Sequence, residues 1–131
     1  MTKTKKHDLN VILRIDFPGG QRLGRGKVQL MEHIRDTGSI SAAGRAMDMS
    51  YRRAWLLVDE MNHMFRQPVV ESQRGGKQGG GAALTAFGET LLARLHQLQQ
   101  TVVAGLDSDL AWLEKQRAPT IAADTEPNRD S

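Results

Sequence analysis

The chain has 131 residues, 39% of them hydrophobic and 25% charged, with a formal net charge of +3. That is about one ordinary soluble domain, and no apolar run approaches the ~20 residues of a membrane-spanning helix. There is no cysteine, which excludes disulfide scaffolds, thiolate zinc sites and cysteine nucleophiles. The basic start lacks a secretory signal, so a cytoplasmic location is expected.

The charge is unevenly spread. Residues 1–81 carry 14 Lys/Arg against 8 Asp/Glu, whereas residues 82–131 carry 4 against 7. A basic front on an acidic back suits an anionic partner for the front alone, with nucleic acid first among the candidates.

After a basic arm at residues 1–8, Leu9, Val11, Leu13 and Ile15 alternate with Asn10, Arg14 and Asp16. The period of two predicts a strand over Leu9–Phe17 with one buried face, ended by Pro18-Gly19-Gly20. Val28, Met31 and Arg35, with Leu30 and Ile34, predict a helix from Arg25 to Asp36, stopped by Thr37-Gly38. A short helix is predicted over Ser41–Met47. Ser41 is its expected N-cap, and Ala42, Ala43 and Ala46 leave room for a neighbour.

Asp48-Met49 is a tight connection to a third helix over Tyr51–Phe65, capped by Ser50. Its expected apolar stripe is Ala54, Trp55, Val58, Met61 and Phe65, with Arg52 and Arg53 pointing away from it. Val69–Ser72 and Ala82–Leu84 flank a run from Arg74 to Gly81 that holds five glycines and two cations. This reads as a β-hairpin with a long tip. Thr85 caps a last helix over 86–116 with apolar positions Phe87, Leu91, Leu95, Leu98, Val102, Leu106, Leu110 and Leu113, close to heptad spacing. Gly105 is the point at which it would weaken or kink. From Ala118 onward the composition predicts a disordered tail.

Two short helices joined by a tight turn, followed by a basic hairpin, make a winged helix-turn-helix. The expected fold is mainly α with a small β wing. A DNA-binding domain spans 9–85, a dimerisation helix 86–117 and a tail 118–131. A helix fits the major groove of duplex DNA, and the third helix presents Ser50, Tyr51, Arg52 and Arg53 at its start. Arginine suits guanine O6 and N7, whereas Ser and Tyr suit phosphates or base edges. Ser41 on the preceding helix joins this set, and on the wing Arg74, Lys77 and Gln78 are candidates for the DNA backbone. Leu91, Leu95, Leu98, Val102, Leu106 and Leu110 are the candidate dimer interface.

The glycine run is not a nucleotide loop: Glu71 stands at the upstream glycine position, and Gln78 where Ser or Thr is needed. Gly24-Arg25-Gly26 fails the dinucleotide pattern at Gln29. His7, His33, His63 and His96 show no helical metal spacing, and Asp59-Glu60 has no companion nucleophile. No enzyme activity, cofactor or metal is expected.

Gly38-Ser39-Ile40-Ser41-Ala42-Ala43, Ser50-Tyr51-Arg52-Arg53-Ala54-Trp55 and Glu60-Met61-Asn62 resemble the helix-turn-helix of ModE-type molybdate-responsive regulators. Gly75-Gly76-Lys77-Gln78-Gly79-Gly80-Gly81-Ala82, Leu84-Thr85 and Gly88 resemble that family's wing and following helix. The resemblance covers roughly residues 9–110. It implies a winged helix, sequence-specific double-stranded DNA binding and a homodimer acting in bacterial transcription. Family members commonly add C-terminal oxyanion-binding domains; this sequence ends where those would begin, so no molybdate response is expected. The competing readings are a protein-interaction adaptor working with a separate sensor and a sequence-independent architectural DNA binder.

Overall fold

A computed structural model describes residues 8–73 and 81–119. The described residues divide into one compact unit within Ile12–Gln100 and a second made of 8–11 and 101–119. In chain order the elements are β1 (Ile15–Asp16), β2 (Arg22–Leu23), α1 (Arg25–Thr37), α2 (Ile40–Ala46), α3 (Tyr51–Met64), β3 (Val70–Gln73), β4 (Gly81–Leu84), α4 (Ala86–Gly105) and α5 (Asp107–Gln116). The fold is a mainly α winged helix with two small antiparallel hairpins.

The first hairpin is much shorter than the alternating sequence predicts. Only Ile15 and Asp16 pair, with Leu23 and Arg22. The turn passes through Gly19 and Gly20, both at positive φ, and α1 begins two residues after the return strand. Residues 9–14 lie outside any strand. Leu9, Val11 and Leu13 are nevertheless half-buried while Asn10, Ile12 and Arg14 are exposed, so the alternation survives without the ladder. The pairing residues Ile15 and Asp16 are both exposed, against expectation for Ile15, which was placed on the buried face.

Helix α1 ends as its sequence predicts. Gly38 adopts φ 73°, and its N–H donates to the Ile34 carbonyl, a conformation that costs glycine little. The core joins Leu30, Met31 and Ile34 of α1, Ala43 of α2, Ala54, Val58 and Met61 of α3, and Val69, Val70, Ala82 and Leu84 of the second hairpin. Leu92 of α4 closes it. Lys27 is also buried, its ammonium donating to the Arg22 carbonyl (2.6 Å) and to Glu60 Oε2 (3.2 Å), which ties α1 to α3. Gly88 lies where the backbones come close: a Cβ there would collide with the Val69 carbonyl oxygen.

The expected single helix over 86–116 is two helices. Leu106 (φ −101°, ψ 4°) interrupts it between α4 and α5. Gly105, costly in a helix by about 1 kcal/mol relative to Ala, precedes the break. Asp107 and Asp109 in the first turn of α5 favour a new helix start, because carboxylates are stabilised at a helix N-terminus. In the first unit Leu91 and Leu95 pack against the core, while Leu98 remains exposed. In the second, Leu110 is buried and Val102 and Leu106 are half-buried. No described helix is long and apolar enough to cross a membrane.

Candidate nucleic-acid interface

The site is built on the turn between α2 and α3. Helix α2 starts one residue earlier than expected, because Ser39, not Ser41, is its cap. Ser39 is extended (φ −152°, ψ 129°), which lets its hydroxyl accept from the Ala42 N–H. Ser41 lies inside the first turn, where its hydroxyl accepts from the Arg45 guanidinium at 2.9 Å.

The chain then turns sharply. The N–H groups of Met47 and Met49 donate to the Gly44 carbonyl, that of Asp48 donates to the Arg45 carbonyl, and Asp48 takes φ 58°. A Cβ on Gly44 would be 3.0 Å from the Ala54 Cβ, so the two helices touch at a position without a side chain.

Ser50 then caps α3 as its sequence predicts, accepting from the Arg53 N–H at 3.0 Å. The first turn of α3 contains no acidic residue. Tyr51, Arg52 and Arg53 are all exposed, and among the described residues neither arginine takes part in an ion pair. The turn therefore presents two uncompensated cations and a capping hydroxyl on one rigid helix end, next to the positive end of the helix dipole. Such an arrangement favours an anionic partner.

Trp55 departs from expectation. The buried row of α3 is Ala54, Val58 and Met61, at spacings of four and three. Trp55 sits one position beyond that row, where 44% of it is exposed. Phe65 does turn inward, its ring 5.8 Å from Phe17 and 5.5 Å from Phe87.

The second hairpin has β3 and β4 in antiparallel register, from Val70 opposite Leu84 to Gln73 opposite Gly81. Arg74, Lys77 and Gln78 belong to residues 74–80, outside the described residues, as are 1–7 of the basic arm and 120–131 of the tail. Hydrogen bonds hold the hairpin's base. The Ala82 N–H donates to the Gly38 carbonyl (2.9 Å) and the Thr85 N–H to the Val69 carbonyl (2.9 Å). Asn62 of α3 accepts from Val69 N (2.7 Å) and Val70 N (3.0 Å) and donates to the Val70 carbonyl (3.0 Å). Thr85 caps α4 as expected, accepting from the Gly88 N–H at 2.9 Å. Asn62 was not among the sequence candidates for the site. A polar residue in an otherwise core-facing part of a helix was its signal. Among the described residues no group of three or more His, Asp or Glu could hold a metal ion.

Known proteins are similar to this chain in sequence. The molybdenum-pterin-binding protein MopB of Rhodobacter capsulatus is 45% identical over 89 residues, 68% of this chain and 33% of that protein. The DNA-binding transcriptional dual regulator ModE of Escherichia coli (strain K12) is 38% identical over 86 residues, 63% of this chain and 33% of its own. This chain carries a ModE-type winged helix-turn-helix domain. The transcriptional regulator ModE of Haemophilus influenzae is 39% identical to the ModE-type chain over 91 residues, 70% of this chain and 36% of that one. The chain thus spans about a third of the length of these relatives. No family model matches the ModE-type chain.

Proposed function

We propose that this ModE-type domain binds double-stranded DNA sequence-specifically, as a homodimeric bacterial transcription regulator and not as an enzyme. The observation that carries the reading is the start of α3. A Ser50-capped, acid-free helix end presents exposed Arg52 and Arg53 directly after a tight turn. The names of the ModE relatives, which are DNA-binding or transcriptional regulators, support the same conclusion. In this reading α3 lies in the major groove, with Ser50, Tyr51, Arg52 and Arg53 at its floor and walls. Ser41 on α2 contacts the backbone beside it, with Arg45 orienting its hydroxyl. Arg74, Lys77 and Gln78 of the hairpin tip contact phosphates, and the bare glycines between them allow close approach.

Dimerisation is assigned to Leu91, Leu95, Leu98, Val102, Leu106 and Leu110. Leu91 and Leu95 already pack on their own core, so Leu98 and Val102 carry most of this assignment. The test is competition. A labelled duplex recovered by selection from a random pool is challenged with unlabelled copies of itself and with random duplex. A specific regulator requires random competitor in roughly 10³-fold excess or more. Equal competition would indicate an architectural binder, and no binding at low salt would indicate an adaptor.

A further inference from the structure

The start of α3 carries an apolar patch that the core does not use. Tyr51 (57%), Trp55 (44%) and Leu56 (51%) are exposed, and with Arg52 they line one shallow depression of about 360 Å³. None of the three belongs to the core, which takes its α3 contribution from Ala54, Val58 and Met61. The patch therefore lies outside the core that holds α3 to its own domain. It adjoins the two cations and the Ser50 cap, so whatever covers it meets apolar surface and positive charge together.

Duplex DNA has that combination in its major groove. The phosphates are anionic, and the only apolar group displayed on the base edges is the thymine C5-methyl. Helical geometry places Leu56 one turn beyond Arg52, on the same side of α3. A helix that lays Arg52 against a base edge thus lays Leu56 against the edge of a neighbouring base pair.

We infer that Leu56, flanked by Tyr51 and Trp55, is a specificity-determining residue that selects thymine through its methyl group. This rests on the DNA-binding reading above and adds to it the chemistry of the base that is read. Arg52 supplies the polar half of the recognition, and the Leu56–Trp55 surface supplies the apolar half.

The test replaces thymine by uracil, one position at a time, in a duplex selected by the full chain. The substitution removes only the methyl and leaves pairing and the O4 acceptor intact. Affinity is measured by fluorescence anisotropy for the natural chain and for Leu56→Ala. Burial of one methyl corresponds to about a fourfold change in affinity. At one or two positions uracil should weaken binding by the natural chain by about that factor, and Leu56→Ala should show no such loss there. Leu56 is on the surface, so the variant should keep the natural melting temperature. A flat uracil scan on a bound duplex would overturn the inference and leave the DNA reading standing. So would a uracil penalty of the same size in Leu56→Ala. Failure of the natural chain to bind any duplex would instead remove both.

Discussion

At the scale of single residues, Asn62 connects the two halves of the candidate interface. Its one side chain satisfies the N–H groups of Val69 and Val70 and donates to the Val70 carbonyl. Both valines are buried, and a buried donor left without a partner costs about 1–3 kcal/mol. Asn62→Ala strands two of them and should lower the unfolding free energy by about 2–4 kcal/mol, measured by urea denaturation. Asn62→Asp keeps the acceptor and should lose less. A change within about 0.5 kcal/mol for Asn62→Ala would show that water replaces the amide. Such a residue is hard to find in sequence, because nothing local marks which backbone groups a helical asparagine will meet. Two other assignments turned on similar ambiguity. Ser39 and Ser41 are both acceptable caps, and only the extended backbone at Ser39 decides between them. Trp55 is apolar and adjacent to the buried row, so a count of hydrophobic positions places it in the core, whereas the helix turns it out.

At the scale of elements, the helix-turn-helix and the hairpin were legible because each is specified locally. Ser50 and Gly38 fix helix ends through hydrogen bonds and φ angles that lie within a few residues of them. Residues 9–17 were misread for the complementary reason: alternation defines two faces but does not set how much of the segment enters a ladder, and here Ile15 and Asp16 pair with Leu23 and Arg22. The break at Leu106 is intermediate, since Gly105 signals weakness but not whether neighbouring residues will compensate. The wing makes a prediction at this scale. Each phosphate contact adds about one unit to the slope of log affinity against log salt. Replacing Arg74 and Lys77 together by Ala should weaken binding to every duplex and flatten that slope by about two. An unchanged slope would mean that the hairpin tip stays off the DNA backbone.

At the scale of the whole molecule, the proposed dimer rests on the apolar positions of α4 and of the segment after it. Leu98 remains exposed in one unit, and Trp112 and Leu113 remain exposed in the other. Large apolar surface on a soluble chain usually marks an interaction site. A two-fold pair of chains would bury it and set two copies of α3 for an inverted repeat, with half-sites about one helical turn or a multiple apart. Sedimentation equilibrium should find a dimer at tens of micromolar and a monomer for the Leu98→Asp, Val102→Asp double variant. A monomeric natural chain, or a double variant that remains dimeric, would defeat the dimer assignment while leaving the proposal that α3 reads DNA in place.

The central claim is that the start of α3 reads base sequence, and the most direct measurement of it is base preference in Arg52→Ala and Arg53→Ala. Selection from a random duplex pool, followed by affinity measurement on the specific site and on random duplex, separates reading from mere attraction. At least one of the two variants should lose about 1–3 kcal/mol on the specific site and relax its preference at one base position. Affinity for specific and random duplex falling by equal factors in both variants would contradict it, because these arginines would then touch only phosphate.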